Sequence, residues 1–311
     1  MTDTYIPLDM SRRILAHKMM VSAMEIPHVC FEYEPDVTDF VGAFSAMKKA
    51  GEVTATFNTL MLRCIAEGLK ASPILNSHLY YKHRSAKGTI RTFRSIDVNM
   101  PTLLPDGTMQ SLTVRDVGAG TLAELDAKVK ALVEKSKDPI LFAKAQFDVA
   151  IGQTMQFLAQ GKILTVLARL FGAYFGKERL RPVGCKNQLQ FLSVYRKHVK
   201  GMDLTNAITK DELKEGTLVV SNVGSIKRDL KGQVAMFEIV PPQVFAVMVG
   251  NLQRRPTVVT DENGDEKVEV RTILPMTLAF DHRACDFGDL VPYIEKLDEI
   301  FANPAVLNEW K

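Results

Sequence analysis

Residues 276–290 read MTLAFDHRACDFGDL. An apolar run over 276–280 stops abruptly at Asp281-His282-Arg283, and Asp286 follows His282 by four positions. A short apolar run bounded by charged residues reads as a buried strand, and this one delivers a histidine at its end. Histidine titrates near neutrality, so it can take a proton and return it; a positioned base of that kind contributes roughly 10²–10⁴-fold to a rate. His282 is the candidate base, and the plainer alternative is a histidine that simply ends a core strand. Beyond it, 287–302 has helical spacing and closes the chain.

The 311 residues allow one large domain or two ordinary ones. With 46% hydrophobic and 24% charged residues the chain has the proportions of a globular protein with a sizeable core. A net charge of +3 calls for no nucleic-acid partner. The charge is uneven: 146–200 holds nine Lys/Arg against two acids, a surplus of +7, which leaves the rest of the chain at −4. Cys30, Cys64, Cys185 and Cys285 lie far apart without a CxxC pair, which disfavours a zinc site or disulfide framework and fits a reducing compartment. The first residues, MTDTYIPLDMSRR, contain no apolar signal core, and the longest apolar stretch, 163–175, is too short to span a bilayer and includes Arg169. A cytoplasmic protein without a metal is the expectation.

Along the chain, Ser11 reads as the cap of a helix over 12–23 that ends before Pro27. Strand patterns follow at 29–37, 89–100, 110–115, 216–221, 244–249, 267–271 and 276–280, with turn signals at Pro105-Asp106-Gly107 and Asn263-Gly264. Amphipathic helices are expected over 39–49, 59–71, ending at Ser72-Pro73, and 122–137. Interleaved strands and helices predict an α/β (α+β) two-layer class with a mixed sheet. Within 146–200 the apolar residues Ile163, Val166, Leu167, Leu170, Phe171 and Tyr174 fall at helical spacing, so this basic, apolar stretch reads as a helical insertion.

The stretch 281–287 resembles the DHRxxDG signature of the dihydrolipoamide acyltransferases, the catalytic domains of the 2-oxoacid dehydrogenase complexes, and the HHxxxDG signature of the related chloramphenicol acetyltransferases. Six further segments fall in the same order. IPLDMSRRILAHKMMVSAMEIPH resembles the opening helix, with Arg12, Met19, Ser22 and Pro27-His28 in step; ASPILN at 71–76 resembles an hPxxN segment; and SIDVNMPTLLPDGTMQSLTVRDV at 95–117 resembles the central strand pair. Residues 208–213, ITKDEL, resemble the lead-in to GTLVVSNVGSI at 216–226, which is similar to GTFTISNLG, and Pro241-Pro242-Gln243 precedes the strand over 244–250. Phe287 stands where the family has glycine, with Gly288 one place later, and the short link between 137 and 208 is replaced by the insertion.

The resemblance implies a single catalytic domain, 1–311, of the chloramphenicol acetyltransferase-like, coenzyme A-dependent acyltransferase fold, interrupted at about 146–200. It implies acyl transfer between coenzyme A and a thiol or other small acceptor, with His282 as base and Ser221 donating to the oxyanion. Asp286 is expected to pair with a buried Arg12 and so hold the histidine loop; Asp281, Arg283 and Asn222 are supporting residues. Read alone, Ser221-Asn222 is turn chemistry, and Cys285 is disfavoured as a nucleophile because no second histidine is placed to activate it. A homotrimer with its site between subunits, or a larger assembly, is implied, acting on acyl-coenzyme A without a lipoyl group on this chain; a separate lipoyl or carrier protein would supply the acceptor. His28 is expected to be structural, and His17, His78, His83 and His198 to be surface residues. Two other readings remain at this stage: a non-catalytic scaffold subunit, and a lipid- or membrane-surface-binding protein that uses 146–200.

Overall fold

A computed structural model describes residues 5, 8–103, 109–176, 179–180, 185–227, 230, 232–261 and 263–311. The Pro105-Asp106-Gly107 turn lies outside them. Eighteen regular elements are used below: α1 (Met10–Glu25), β1 (His28–Tyr33), α2 (Thr38–Lys49), α3 (Phe57–Ala71), β2 (Ser77–Lys82), β3 (Lys87–Thr92), β4 (Val98–Leu103), β5 (Met109–Val114) and α4 (Leu122–Lys135) come first. Then follow α5 (Pro139–Ala159), α6 (Ile163–Tyr174), α7 (Gln188–His198), β6 (Leu218–Asn222), β7 (Phe245–Val249), β8 (Gln253–Thr260), β9 (Glu266–Ile273), β10 (Met276–Asp281) and α8 (Phe287–Ala302).

The main sheet has six strands in the order β1-β10-β7-β6-β4-β5. β10 runs antiparallel to both β1 and β7, whereas β7, β6 and β4 are parallel. The sheet is therefore mixed, as expected. Every residue of β7 and β10 is buried, which explains why both read as continuous apolar runs rather than alternating ones. Val219, Ala246 and Ala279 form a cross-strand row over β6, β7 and β10, and their cluster takes in Ile26 and Ile239.

The chain folds as two compact units. One comprises Val21–Pro101, Val114–Lys130 and Glu215–Lys311, and holds the central strands. On them lies α8, where Tyr293 meets Phe245 edge-on at 5.1 Å, and α2 joins it through Phe40 against Phe301 at 5.3 Å. α3 packs closely enough on α8 that a Cβ at Gly68 would stand 2.7 Å from the Tyr293 ring. α3 is capped by Thr56, whose side chain accepts from Thr59 N–H, and ends at Ser72 before Pro73 as its sequence predicts.

The other unit comprises Met1–Met20, Thr102–Thr113 and Ala131–Lys214. Its helices α5, α6 and α7 confirm the helical reading of 146–200, although α5 begins earlier, at Pro139. Asp138 sets that start by accepting from Ile140 and Leu141 N–H, and its other oxygen holds His198 Nε2 at 2.7 Å. His198 is thus tied into a helix cap rather than free on the surface. Asp9, not Ser11, begins α1, with Oδ1 accepting from Arg12 N–H at 2.8 Å.

Two hairpins depart from the sequence reading. The expected strand at 89–100 is two strands, β3 and β4, separated by Phe93–Asp97, and β3 pairs with the unforeseen β2. β8, also unforeseen, pairs along its whole length with β9 around the Asn263-Gly264 turn, where Gly264 takes φ +87°. β3 exposes all of its residues, and β2, β8 and β9 each expose half of theirs and bury few, so no strongly apolar face marks these hairpins in the sequence. Among the described residues no helix is long and apolar enough to cross a membrane, and no cluster of His, Cys, Asp and Glu could hold a metal ion.

Candidate active site

β10 brings Asp281 to the end of the buried sheet, and the chain turns there by local hydrogen bonds. Asp281 N–H donates to Val244 O, and Asp281 O accepts from Ala284 and Cys285 N–H. The Asp281 side chain is fully buried, yet it is a carboxylate, so it must be compensated. Arg283 does this from two residues away: Nε reaches Oδ1 at 3.0 Å, Nη2 reaches Oδ2 at 2.7 Å, and its own N–H adds a third bond at 3.0 Å. Asp281 and Arg283 shape the loop.

His282, exposed on that loop, is held by two contacts. Its N–H donates to Pro27 O at 3.1 Å, and its Nδ1 lies 3.1 Å from Cys285 O. A carbonyl only accepts, so Nδ1 carries the proton and Nε2 presents a lone pair to solvent. That is the tautomer a general base requires. Cys285 contributes its carbonyl and not its thiol: burial, with Asp289, Asp281 and Asp286 nearby, pushes the thiol pKa up to about 12. At neutral pH it is protonated, as the disfavoured nucleophile reading anticipates.

Asp286 caps α8 in a reciprocal box with Asp289, each carboxylate accepting the other's N–H. It is exposed, and so is Arg12; the burial that the expected Arg12–Asp286 pair requires is not present in the single chain. Phe287 is the first residue of α8 and has no positive φ, so the backbone here needs no glycine. Its ring packs edge-on against Phe31 at 5.2 Å.

Ser221 lies on β6 and is 8% exposed. Its Oγ makes no hydrogen bond among the described residues, so its proton is available. Asn222 next to it has a partner on each amide atom: Oδ1 accepts from Ser225 N–H at 3.2 Å, and Nδ2 donates to Asn58 Oδ1 at 3.2 Å. A side chain at Gly224 would stand 2.5 Å from Asn251 Oδ1, which accounts for the glycine in the SNVG run. Asn58 is a site-adjacent residue that carried no sequence signal.

Two histidines behave differently from each other. His28 is structural as expected, with Nε2 accepting from Ile239 N–H at 3.1 Å beside Ser22 Oγ. His78, expected on the surface, is buried, faces Phe93 and bonds Gly216 O at 3.1 Å; burial holds its pKa below the usual histidine range.

The register fixes where the two candidate groups stand. Ser221 is level with Met248 of β7, and Asp281 with Val244, the residue just before that strand. His282 therefore lies about five residues from Ser221 along the strands, roughly 16 Å, and two strand spacings, about 10 Å, across them. Side chains cannot close that distance. One chain carries both groups at opposite ends of one sheet.

The family model described as 2-oxoacid dehydrogenases acyltransferase (catalytic domain) matches residues 1–146 and 181–308. The chain belongs to that family. Its match skips 147–180, the second part of α5 and all of α6. A mitochondrial dihydrolipoyllysine-residue acetyltransferase component of the pyruvate dehydrogenase complex from Dictyostelium discoideum is 23% identical over 98% of this chain and 35% of its own length. The Mycobacterium bovis counterpart is 38% identical over 25% of this chain and 14% of its own. The chain thus spans 35% and 14% of the length of these two relatives. Among solved structures, the dihydrolipoamide acetyltransferase of Azotobacter vinelandii superposes with a TM-score of 0.62 at 18% identity, covering 99% of this chain and 94% of that one. A probable dihydrolipoamide acetyltransferase from Listeria monocytogenes gives 0.61 at 17%, covering 96% and 94%. The fold of this family's catalytic cores is the fold of this chain.

Proposed function

We propose that the chain is a coenzyme A-dependent acyltransferase that moves an acyl group between coenzyme A and a dihydrolipoyl thiol, at a site completed by a second copy of itself. The observation that carries this reading is the separation of His282 from Ser221 in one chain, together with the free lone pair of one and the free proton of the other. A closed ring of copies, a trimer being the simplest that the resemblance implies, brings the β10 end of one subunit to the β6 end of its neighbour.

At such a site His282 Nε2 takes the proton of the attacking thiol. The thiolate adds to the thioester carbonyl carbon, and the carbonyl oxygen becomes an oxyanion that accepts from Ser221 Oγ–H. Collapse re-forms the carbonyl and breaks the original C–S bond; the departing thiolate recovers the proton from the His282 imidazolium. Asp281, Arg283 and the Cys285 carbonyl keep the ring in place. Asp286 steadies α8 as its cap, and a pair with Arg12 would add to this only where assembly buries both.

The test is thiol release from acetyl-coenzyme A with dihydrolipoamide as acceptor. Acceptor-dependent release is expected, lowered by about 10²-fold or more in His282→Ala. A His282→Ala enzyme of full activity would remove the mechanism.

A further inference from the structure

Within the unit built from α5–α7 there is an open groove of about 1020 Å³, lined from α1, α5 and α6. That is the upper end of the ~300–1,000 Å³ usual for small-molecule sites. Its walls are apolar, with Ile14, Phe147, Ile151 and Leu170 among them. Its charges are all of one sign: Arg13, Lys18 and Arg169 line it with His17, and no aspartate or glutamate does among the described residues.

Arg169 is the group that asks for a ligand. It is partly buried and forms no ion pair among the described residues; its guanidinium lies 4.4 Å from the centre of the Phe157 ring instead. Burial draws its pKa below the ordinary arginine value. Beside it, burial first and then the Arg169 charge hold His17 below the usual histidine range. A cation kept from water without an anion is costly, and a ligand anion relieves that cost. Arg13 is committed elsewhere, with Nη1 donating to Gly172 O at 2.9 Å, and so pins α1 to α6 at the groove wall.

We propose that this groove binds a single-chain anionic amphiphile, a fatty carboxylate being the simplest, with its tail along the apolar wall and its acidic head against Arg169. Both parts of the ligand are called for: an apolar wall alone would suit any greasy partner, and the acid-free rim restricts the head to an anion. α6 falls in the segment that the family model skips, so the site belongs to this chain's insertion. None of its residues takes part in the acyl transfer proposed above.

The test is calorimetric titration of the full chain with dodecanoate below its micelle concentration, with dodecyltrimethylammonium as the cationic control. Saturable binding of one dodecanoate per chain is expected, about tenfold tighter than the control. Arg169→Gln should remove that preference, Arg169→Lys keep most of it, and Ala168→Trp block the groove with the thermal melting point unchanged. No saturable binding, or equal affinity for the two heads, would overturn the proposal. So would binding to phosphatidylglycerol vesicles without binding to monomeric dodecanoate, which would make this face a membrane contact. A smaller particle in Ala168→Trp would assign it instead to packing between copies, and would overturn the proposal equally.

Discussion

As candidates, His282 and Ser221 were legible in the sequence, because each sits in a short motif that resembles the family's. What makes them usable was not. The ring orientation and tautomer of His282 depend on the Cys285 carbonyl three residues on, a backbone group that no side-chain pattern reveals. His78 shows the reverse error: its polar neighbours suggest a surface, but Gly216, far off in the same chain, and the Phe93 ring bury it. At this scale Ser221→Ala is the informative change. Its hydroxyl makes no hydrogen bond among the described residues, so removal should leave stability and KM nearly unchanged and lower kcat by about 10²–10³-fold. Steady-state kinetics with melting as control would show this, and a change in KM alone would point to ground-state binding instead.

Among the elements, the sequence yielded those with a buried face or a cap. α3, β7, β10 and α8 fall within two residues of expectation, because apolar runs, Ser72-Pro73 and the Asp286/Asp289 box mark their limits. The β2–β3 and β8–β9 hairpins were missed in part because few of their residues are fully buried, and β8, though it alternates, has no apolar face. The approach of β6 to β4 rests on a single small residue. A Cβ at Gly216 would stand 2.1 Å from Asp97 O, and Gly216 O itself accepts from Gln243 Nε2 and meets His78. Gly216→Ala should cost about 3 kcal/mol, read as a lower urea midpoint; an unchanged midpoint would mean that the strand pair tolerates a shift.

Asp97 secures the same approach. Burial pushes its carboxyl up, but hydrogen bonds from Ser95, Asp116 N–H and Arg115 outweigh this and hold it below its ordinary 3.8. A depressed folded value means the carboxylate's contribution is whole above that ordinary value and is lost as pH falls through the folded one. Urea melts of the parent and Asp97→Asn should therefore differ at pH 7, and the difference should shrink as the pH is taken progressively below 3.8. A constant difference would exclude the ionic part.

For the whole molecule, family membership followed from ordered segments spread over nearly the full length, which no single motif supplies. The placement of the reactive groups did not follow from sequence, since it depends on β7 lying between β6 and β10 and on the direction of each. On the proposed mechanism, each chain then contributes half of two sites. The most direct test is complementation: His282→Ala and Ser221→Ala chains are unfolded together, refolded in equal amounts, and assayed for acyl transfer. In a cyclic assembly with one histidine and one serine from neighbouring copies, random mixing restores about a quarter of the sites. Activity near a quarter of the parent's, from two inactive variants, is the predicted result. Activity no higher than that of either variant alone would contradict a site shared between copies.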